Sequence, residues 1–417
     1  QEYNLTARVT DNGSSPKNKD ANIRVTVVTE TDVVNQSPVI EDQEFILNEE
    51  ESFGSSIGQI AAYDPDPGQN LIYSITQGNE SNIFAINAES GYLSSVSGNI
   101  FDHISDDYIL LVSVTDGDKS DQAVIHITLH RLINAIYIDP ENKNDILENG
   151  TTEHPYDSWQ DVEWISGYNY RQKRGTVANE SKIIVASNNV TIGGYGEGDK
   201  PVIWSSSQDY AISFFEKSDL VIKDIQVLAE NAISCLYFLG DNSGNTTIKN
   251  SRFESAVYGI RIVGGSNYTI QYNSFYGISE AIYAYAGKTN IHYNIFQNNQ
   301  NAVHIDGENS SADIFNNVFY DNNTSVSTSS SEMTLYNNIF YLTRSDDKAF
   351  DFSGKKLVSD HNIYYPYQNG FAKIHGESLN ELSTLQQVEG IDINSFISDP
   401  LFVDALHHNF TVHHESP

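Results

Sequence analysis

A nine-residue pattern recurs seven times in the C-terminal two thirds of the chain, and this repeat constrains the fold more than any other feature of the sequence. The copies end at Val227, Phe253, Phe275, Phe296, Phe319, Phe340 and Tyr364. They follow one another at spacings of 26, 22, 21, 23, 21 and 24 residues. Such a period predicts a solenoid of short strands, because one coil can bury its apolar face only against the coils above and below it.

Three columns of like residues keep a constant place in the repeat. The aliphatic column contains Ile222, Ile248, Ile270, Ile291, Ile314 and Leu335, and the aromatic column contains Phe253, Phe275, Phe296, Phe319 and Phe340. We expect both to form the core. Two residues before the aromatic column stand Asn273, Asn294, Asn317, Asn338 and Asn362. Asn tolerates a left-handed bend, and its amide can hydrogen-bond along a stack, so we interpret this column as structural.

A second strand can be aligned in each coil, and its alternation separates a buried side from an exposed one. The predicted inward residues are Leu236, Ile260, Ile282, Val303, Val326 and Phe350. The predicted outward residues are Tyr237, Arg261, Tyr283, His304, Ser327 and Asp351, with a parallel row of Leu239, Val263, Tyr285, Asp306 and Ser329. The outward rows concentrate a cation, aromatic rings, an imidazole and a carboxylate on neighbouring coils.

These outward residues have the chemistry of a polysaccharide site, and Tyr237, Tyr283 and Tyr285 can stack on sugar rings. Arg261 can pair bidentately with a uronate or sulfate group. His304 is the candidate catalytic residue, as a base for a proton next to a carboxylate, and Asp306 can orient His304 or hold calcium. The alternative is an ordinary solvated face of the solenoid.

The charge balance favours cations as partners and disfavours anionic ones. The chain has 23 Lys plus Arg against 56 Asp plus Glu, a net charge of -33. Nucleic acid and anionic lipid would be repelled, whereas calcium would be attracted. No apolar run is long enough to insert in a membrane, and the single Cys235 allows no internal disulfide. We expect an extracellular or cell-surface fragment with further domains of the same chain on both sides.

The first third of the chain alternates short strands with tight turns, which is the pattern of a β-sandwich. Asp64, Asp66 and Asn70 stand at alternate positions of one loop, "YDPDPGQN". Their oxygens can converge on one hard cation, so the spacing predicts calcium as a cofactor. The alternative for each acidic residue alone is a solvated turn.

Residues 38–131 resemble a cadherin repeat, on the pattern of Glu49 before Gly54, "AYDPDPGQN", Asp102 in "FD" and Asp116 in "VTDG". Residues 1–37 resemble the end of a preceding repeat and its linker. The resemblance implies calcium ligands at this junction, namely Asp11, Asp32, Asn35, Asp64, Asp66 and Asn70. Glu49, Asp102 and Asp116 are weaker candidates at a second junction, which lacks an acidic linker.

Residues 135–417 resemble the right-handed parallel β-helix of secreted proteins in the polysaccharide-lyase-like group, on the opening "RQKRGTVANESKIIV" and the closing "DPLFVDALHHNF". Near 157–166, Ser158 and Asp161 are spaced as a capping box, with Trp159, Val162 and Ile165 on one face. We therefore expect a short helix that covers the open end of the coil. The fold class expected for the whole chain is all-β, a cadherin-like sandwich followed by this solenoid.

Two functions fit these observations. The first is a calcium-binding adhesin, with the character of a bacterial surface protein, whose β-helix binds polysaccharide or a cell-surface glycan. The alternative is a polysaccharide lyase or hydrolase that carries cadherin-like modules as spacers. The "NTD" and "GHG" series of polygalacturonases and the "DPHD" of alginate epimerases do not occur in the sequence, which favours the adhesin. A structural stalk without a ligand is a third reading.

Overall fold

The computed structural model is nearly all β, with 2% of the chain helical. It describes residues 2–12, 17–26, 35–48, 56–80, 82–96, 107–130, 134–230, 232–366, 370–405 and 409–416. The described helical segments are the α-helical turn Leu382–Thr384 and the π-helix Leu385–Glu389 that follows it. The predicted all-β class is confirmed. The chain divides into two compact units, whose boundary along the sequence lies between Leu129 and His130.

The first unit contains a sandwich of two sheets. One sheet has the strand order Gln43–Asn48, Ser120–His130, Asp107–Thr115, Ile72–Gln77, and the other has the order Ser56–Gln59, Tyr92–Ser95, Phe84–Ile86. Asp107–Thr115 shows why the sheets pack, because Leu110, Val112 and Val114 alternate with outward residues and are fully buried. The Phe84 ring of one sheet meets the Tyr108 ring of the other at 5.2 Å. Two short antiparallel pairs complete the unit: Val39–Ile40 with Ala62–Tyr63, and Glu2–Thr10 with Asn18–Thr26.

The second unit is a parallel solenoid of about nine turns, built from three ten-stranded sheets that we name A, B and C. Sheet A contains Ala135–Ile138, Asn169–Lys173, Thr191–Tyr195, Val221–Lys223, Gly244–Lys249, Ser266–Gln271, Lys288–His292, Ser311–Phe315, Glu332–Tyr336 and Lys356–Asp360. Sheet B contains Val177–Glu180, Val202–Ser205, Gln226–Leu228, Arg252–Glu254, Ser274–Tyr276, Ile295–Gln297, Val318–Tyr320, Ile339–Tyr341, Ile363–Tyr365 and Phe396–Ile397. Sheet C contains Ile183–Val185, Tyr210–Phe215, Ser234–Leu239, Tyr258–Val263, Glu280–Tyr285, Asn301–Asp306, Thr324–Thr328, Lys348–Phe352, Ala372–Ile374 and Glu377–Leu379, the last antiparallel.

The two apolar columns predicted from the repeat are confirmed. The aliphatic column is fully buried and pairs in register along sheet A from Ile222 to Leu335. The aromatic column lies in sheet B, where neighbouring rings from Phe253 to Tyr364 stack nearly parallel with centroids 4.9 to 5.3 Å apart. The strand spacing of about 4.8 Å sets this ring separation, so the columns fill the core without gaps.

The asparagine column forms the predicted ladder of buried hydrogen bonds. The backbone N–H and the Nδ2 of Asn294 both donate to Oδ1 of Asn317, at 2.9 and 3.1 Å, and the pattern repeats from Asn273 to Asn362. The expected left-handed bend at these residues is wrong. Positive φ belongs to the residue before each of them: Tyr272, Tyr293, Asn316, Asn337 and His361. That residue turns the corner, which leaves the following amide free to point inward.

The helix expected near 157–166 is not formed, because residues 157–161 make bends and turns. The reason is a tertiary contact: the buried Glu180 carboxylate accepts the Trp159 backbone N–H at 2.9 Å and the Ser158 hydroxyl at 3.0 Å. The Ser158 hydroxyl, which the capping box would place at the start of a helix, instead donates a hydrogen bond to Glu180 of the solenoid. Trp159 and Val162 nevertheless pack into the solenoid core, although the segment that carries them is not helical.

The C-terminal hairpin of Phe402–Asp404 and Asn409–Val412 lies on the outer surface of sheet B. Phe410 meets the Tyr320 ring at 5.3 Å, and Phe402 meets Tyr341 at 5.8 Å. These contacts cover Tyr320 and Tyr341 of sheet B. Sheet C forms a separate side of the solenoid.

Candidate functional site

The outer surface of sheet C, from Tyr210–Phe215 to Asn301–Asp306, carries the candidate residues, and we name it face C. The predicted register is confirmed: Tyr237 pairs with Arg261, Arg261 with Tyr283, and Tyr283 with His304. In the second row Tyr285 pairs with Asp306. All six candidate residues therefore lie on four adjacent turns of one face, although their role in binding stays a prediction.

Arg261 is held by aromatic rings. Its guanidinium carbon lies 5.1 Å from the centre of the Tyr237 ring and 5.0 Å from that of Tyr258. Its Nε atom is buried and has no hydrogen-bond partner among the described residues. Arg174, Arg252 and Arg344 of the same solenoid, in contrast, each have a carboxylate oxygen within 3.6 Å. The two rings therefore orient the Arg261 guanidinium, which has no carboxylate partner among the described residues.

His304 lies between two carboxylates. Its Nδ1 is 3.4 Å from Oε2 of Glu280, and its Nε2 is 3.2 Å from Oδ2 of Asp306. The nearby Glu280 carboxylate raises the pKa of His304, against the opposing effect of burial, and the Asp306 charge adds to the rise. Burial alone would raise the pKa of Asp306, but the Ser329 hydroxyl, the Ser329 N–H and His304 together lower it. The arrangement favours an imidazolium, which donates hydrogen bonds and cannot act as a base.

Sequence reasoning missed two members of this face, Tyr258 and Glu280. They pair with each other in a third outward row, three residues before Arg261 and Tyr283. Strict alternation counted back from Arg261 would turn Gly259 outward, but Gly259 and Ile260 are both buried. Because two consecutive residues are buried, the next outward residue toward the start of the strand is Tyr258 and not Gly259. Two consecutive small or apolar residues, "GI" and "AI", are the signal that could have revealed it.

Further aromatic side chains extend face C toward the start of the solenoid. The Tyr210 ring lies 5.9 Å from the Tyr237 ring, and the Phe215 ring lies 6.0 Å from it. Lys182 places its ammonium 5.6 Å from the centre of the Tyr210 ring. At the other end, the Tyr283 ring meets the His304 ring edge-on at 5.3 Å. Face C is thus a continuous strip of rings with cations set among them.

The calcium candidates partly converge at one end of the first unit. The Asp66 backbone N–H donates to Oδ1 of Asp64 at 2.8 Å, and Nδ2 of Asn35 donates to Oδ2 of Asp116 at 2.9 Å. The second carboxylate oxygen of Asp64 is buried with no hydrogen-bond partner among the described residues. An unpartnered buried carboxylate oxygen fits a cation, because its desolvation is otherwise uncompensated. Asp118, missed in the sequence, lies beside Asn35 at 3.5 Å.

Other donors occupy part of the same site. Gln36 donates its backbone N–H and its side-chain amide to the two oxygens of Asp66, at 2.5 and 3.2 Å. The Lys119 ammonium donates to the Asn35 carbonyl at 2.6 Å. A bound cation would have to displace these donors from any oxygen that it takes.

The remaining calcium candidates are placed differently. Asn70 is an exposed residue of the Asp64 loop, and Asp11 accepts the Lys17 backbone N–H at 3.2 Å at the end of the first hairpin. Asp32, Glu49 and Asp102 lie outside the described residues. A separate group of carboxylates, Glu148, Asp157 and Asp161, has its oxygens within 4.8 Å of one another near the start of the solenoid. Burial and the Asp157 charge raise the pKa of Glu148 and of Asp161.

Comparison with known proteins bears on both units. Residues 43–130 match the cadherin domain, and residues 202–340 match the right-handed beta helix region. The chain contains a cadherin domain and a right-handed parallel β-helix. The polysaccharide-lyase-like grouping of the helix stays a prediction. The two domains together suggest an extracellular adhesion or carbohydrate-related protein.

The curated relatives include large receptors whose names contain the word cadherin. Cadherin EGF LAG seven-pass G-type receptor 3 of Mus musculus is 30% identical over 151 residues, 35% of this chain and 4% of the relative. Receptor 1 of the same name from Mus musculus is 35% identical over 132 residues, 30% of this chain and 4% of the relative. This chain therefore spans a small fraction of the length of these relatives.

Solved structures of protocadherins are also similar. The protocadherin gammaB7 EC3-6 cis-dimer structure is 24% identical, covers 32% of this chain and 34% of that chain, and has a TM-score of 0.23. Protocadherin gamma C5 EC1-3 is 23% identical, covers 30% and 43% of the two chains, and has a TM-score of 0.22. Among the described residues, no helix is both long enough and apolar enough to cross a bilayer.

Proposed function

We propose that the β-helix binds an acidic polysaccharide on face C, as part of an extracellular or cell-surface adhesin whose cadherin domain binds calcium. The observation that carries this proposal is Arg261, which has no carboxylate partner among the described residues although the chain has 56 acidic and 23 basic side chains. Arg261 therefore presents a guanidinium that no carboxylate among the described residues neutralises. Tyr237 and Tyr258 keep it in place, so little entropy is lost when its fork meets a carboxylate or sulfate.

The tyrosines supply the rest of the contact. Successive turns are about 4.8 Å apart, so a polymer that runs along face C meets a new ring on each turn. Sugar rings pack their C–H faces on such side chains, and this stacking is independent of charge. The guanidinium would then select polymers with acid groups, while the tyrosine rings provide contact area for successive sugar units.

Binding is favoured over catalysis by the setting of His304. A lyase needs a neutral imidazole to remove the proton beside a uronate carboxylate. Glu280 and Asp306 raise the pKa of His304 and so favour the charged form, which cannot accept that proton. A charged His304 instead offsets the negative charges of Glu280 and Asp306, which would otherwise repel the anionic ligand. The polysaccharide lyase or hydrolase with cadherin spacers is the alternative.

The test is retention of the chain on acidic and neutral polysaccharides, with release of unsaturated ends measured in parallel. Arg261→Ala should weaken retention by acidic polymers about tenfold and make the remainder more sensitive to salt. Arg252→Ala is a matched control, because Arg252 lies on sheet B and is paired with Glu254. Unchanged retention in an Arg261→Ala, Tyr283→Ala, His304→Ala triple variant would contradict the site. Product release that is lost in His304→Ala alone would establish the lyase.

A further inference from the structure

A depression lies at the corner where the strands of sheet C turn toward sheet A, beside Tyr285. Its volume is about 360 Å³, within the range of about 300 to 1,000 Å³ that is usual for small-ligand sites. The lining side chains are Tyr285, Asp241, Glu308 and Asn309, together with a set of small residues: Gly264, Gly265, Ala286, Gly287, Gly307 and Ser310. Nothing in the sequence repeat or the family matches assigns a role to it.

Small residues on consecutive turns create this space. Gly264 and Gly307 have φ of +101° and +109°, where a side chain is strained. A Cβ on Gly307 would lie 3.3 Å from a carbon of the Tyr285 ring. Larger residues at this corner would therefore close the space beside that ring. As a result, Tyr285 keeps 53% of its surface exposed and forms one wall of the depression.

We propose that this corner depression binds a neutral sugar unit of the same polysaccharide chain that face C holds by its acid groups. The inference rests on the proposed function for the ligand being a polysaccharide. Tyr285 offers a surface for the C–H face of a sugar, and Asp241, Glu308 and Asn309 offer acceptors for its hydroxyl groups. Tyr285 of the depression pairs with Asp306 of the next turn, so the depression lies directly beside the other candidate residues of face C.

Charge decides between a neutral sugar and the other possible occupants. Asp241 and Glu308 would repel a uronate or sulfate. The depression therefore favours a neutral sugar, whereas Arg261 favours an acidic one. A metal ion needs converging oxygens, and the group of three carboxylates found among the described residues is Glu148, Asp157 and Asp161, elsewhere in the solenoid. The ligand favoured by the complete surface is thus a heteropolymer that contains both acidic and neutral units.

The experiment compares polygalacturonate, which has acidic units throughout, with gellan, whose repeat unit combines glucuronate with neutral sugars. The variant is Asp241→Ala with Asn309→Ala, and the matched control is Asp199→Ala with Asn179→Ala, two exposed residues on early turns of the solenoid. The variant should bind gellan at least fivefold more weakly and polygalacturonate no more weakly than the wild type does, while the control should bind both like the wild type. Equal weakening of both polymers, or weakening of neither, would overturn the inference.

A second measurement separates this inference from the proposed function. Neutral oligosaccharides of glucose, galactose, mannose and xylose are titrated at millimolar concentration into the wild type and into Arg261→Ala. At least one should bind both proteins equally and should lose binding in the Asp241→Ala, Asn309→Ala variant. If the wild type binds neither acidic polymer, the proposed function fails and this titration alone decides the depression. If none of the four neutral sugars binds, the inference is wrong.

Discussion

We expect His304 to make the proposed binding on face C dependent on pH. Its folded-state pKa is raised from the ordinary 6.5, first by the nearby Glu280 carboxylate. The imidazolium and its stabilising contacts are therefore fully present below pH about 6.5 and are lost as the pH rises through the folded pKa. We predict that acidic polysaccharide binds more tightly at pH 6 than at pH 9, because the imidazolium charge disappears while Arg261 stays charged.

Glu280→Gln tests the cause of this dependence. Removing the carboxylate should lower the His304 pKa and shift the loss of binding to lower pH, which proton NMR of the imidazole and a binding titration at several pH values would both report. Arg261→Ala should weaken binding at all pH values without moving the midpoint. A His304 pKa that stays the same in Glu280→Gln would contradict the role given to the 3.4 Å contact.

At the scale of single elements, the aromatic column of sheet B stabilises the solenoid. Phe296 is fully buried and stacks on Phe275 and Phe319 at 4.9 Å. Phe296→Ala should lower the free energy of unfolding by about 3 to 5 kcal/mol, because it removes packing on two neighbouring turns. His292→Ala, at an outward position of the adjacent strand, is the control and should cost much less. Chemical denaturation compares them, and equal losses would contradict the register.

The asparagine ladder is a second stabilising element, with a different chemistry. Asn317 accepts from Asn294 and donates to Oδ1 of Asn338 and to the Ile291 carbonyl. Asn317→Ala leaves the buried N–H of Asn294 without an acceptor, and we expect a loss of about 1 to 3 kcal/mol in the free energy of unfolding. Asn316, one residue earlier, occupies the left-handed corner, and Asn316→Ala tests that bend. Asn316→Gly should keep the stability of the wild type, because glycine adopts a positive φ without strain. Unfolding that is unchanged in Asn317→Ala would show that the ladder is not needed.

The elements that sequence predicts well here are the ones fixed by the repeat. Ile270, Phe275 and Asn273 recur at one place in the coil, so their burial and pairing follow from the period. The corner residue is harder to predict, because Tyr, Asn and His all occupy it. The failed helix near Ser158 has another cause: the Glu180 contact with Trp159 is long-range and outweighs a local capping signal. Tyr258 and Glu280 were missed because two consecutive buried residues break the alternation.

At the scale of the whole molecule, the net charge of -33 makes cations a general stabilising influence, so a specific calcium site must be separated from diffuse binding. Asp64 has a buried oxygen without a hydrogen-bond partner among the described residues, whereas Glu148, Asp157 and Asp161 form a compact group of which Asp161 is exposed. The two sites belong to different units of the chain. Variants of each can therefore be compared with one calcium titration.

We predict that calcium raises the unfolding temperature of the cadherin domain and that Asp64→Ala with Asp66→Ala abolishes this shift, since an ion that binds only the folded state stabilises it by about 2.7 kcal/mol at one hundred times its Kd. Calorimetry measures the calcium bound, and a melting curve measures the stability. Glu148→Ala with Asp157→Ala is the matched control, with the same change in charge, and should keep the full shift. Equal calcium uptake by the wild type and the Asp64→Ala, Asp66→Ala variant would contradict the assignment. Loss of uptake in the control alone would move the calcium site to the start of the β-helix.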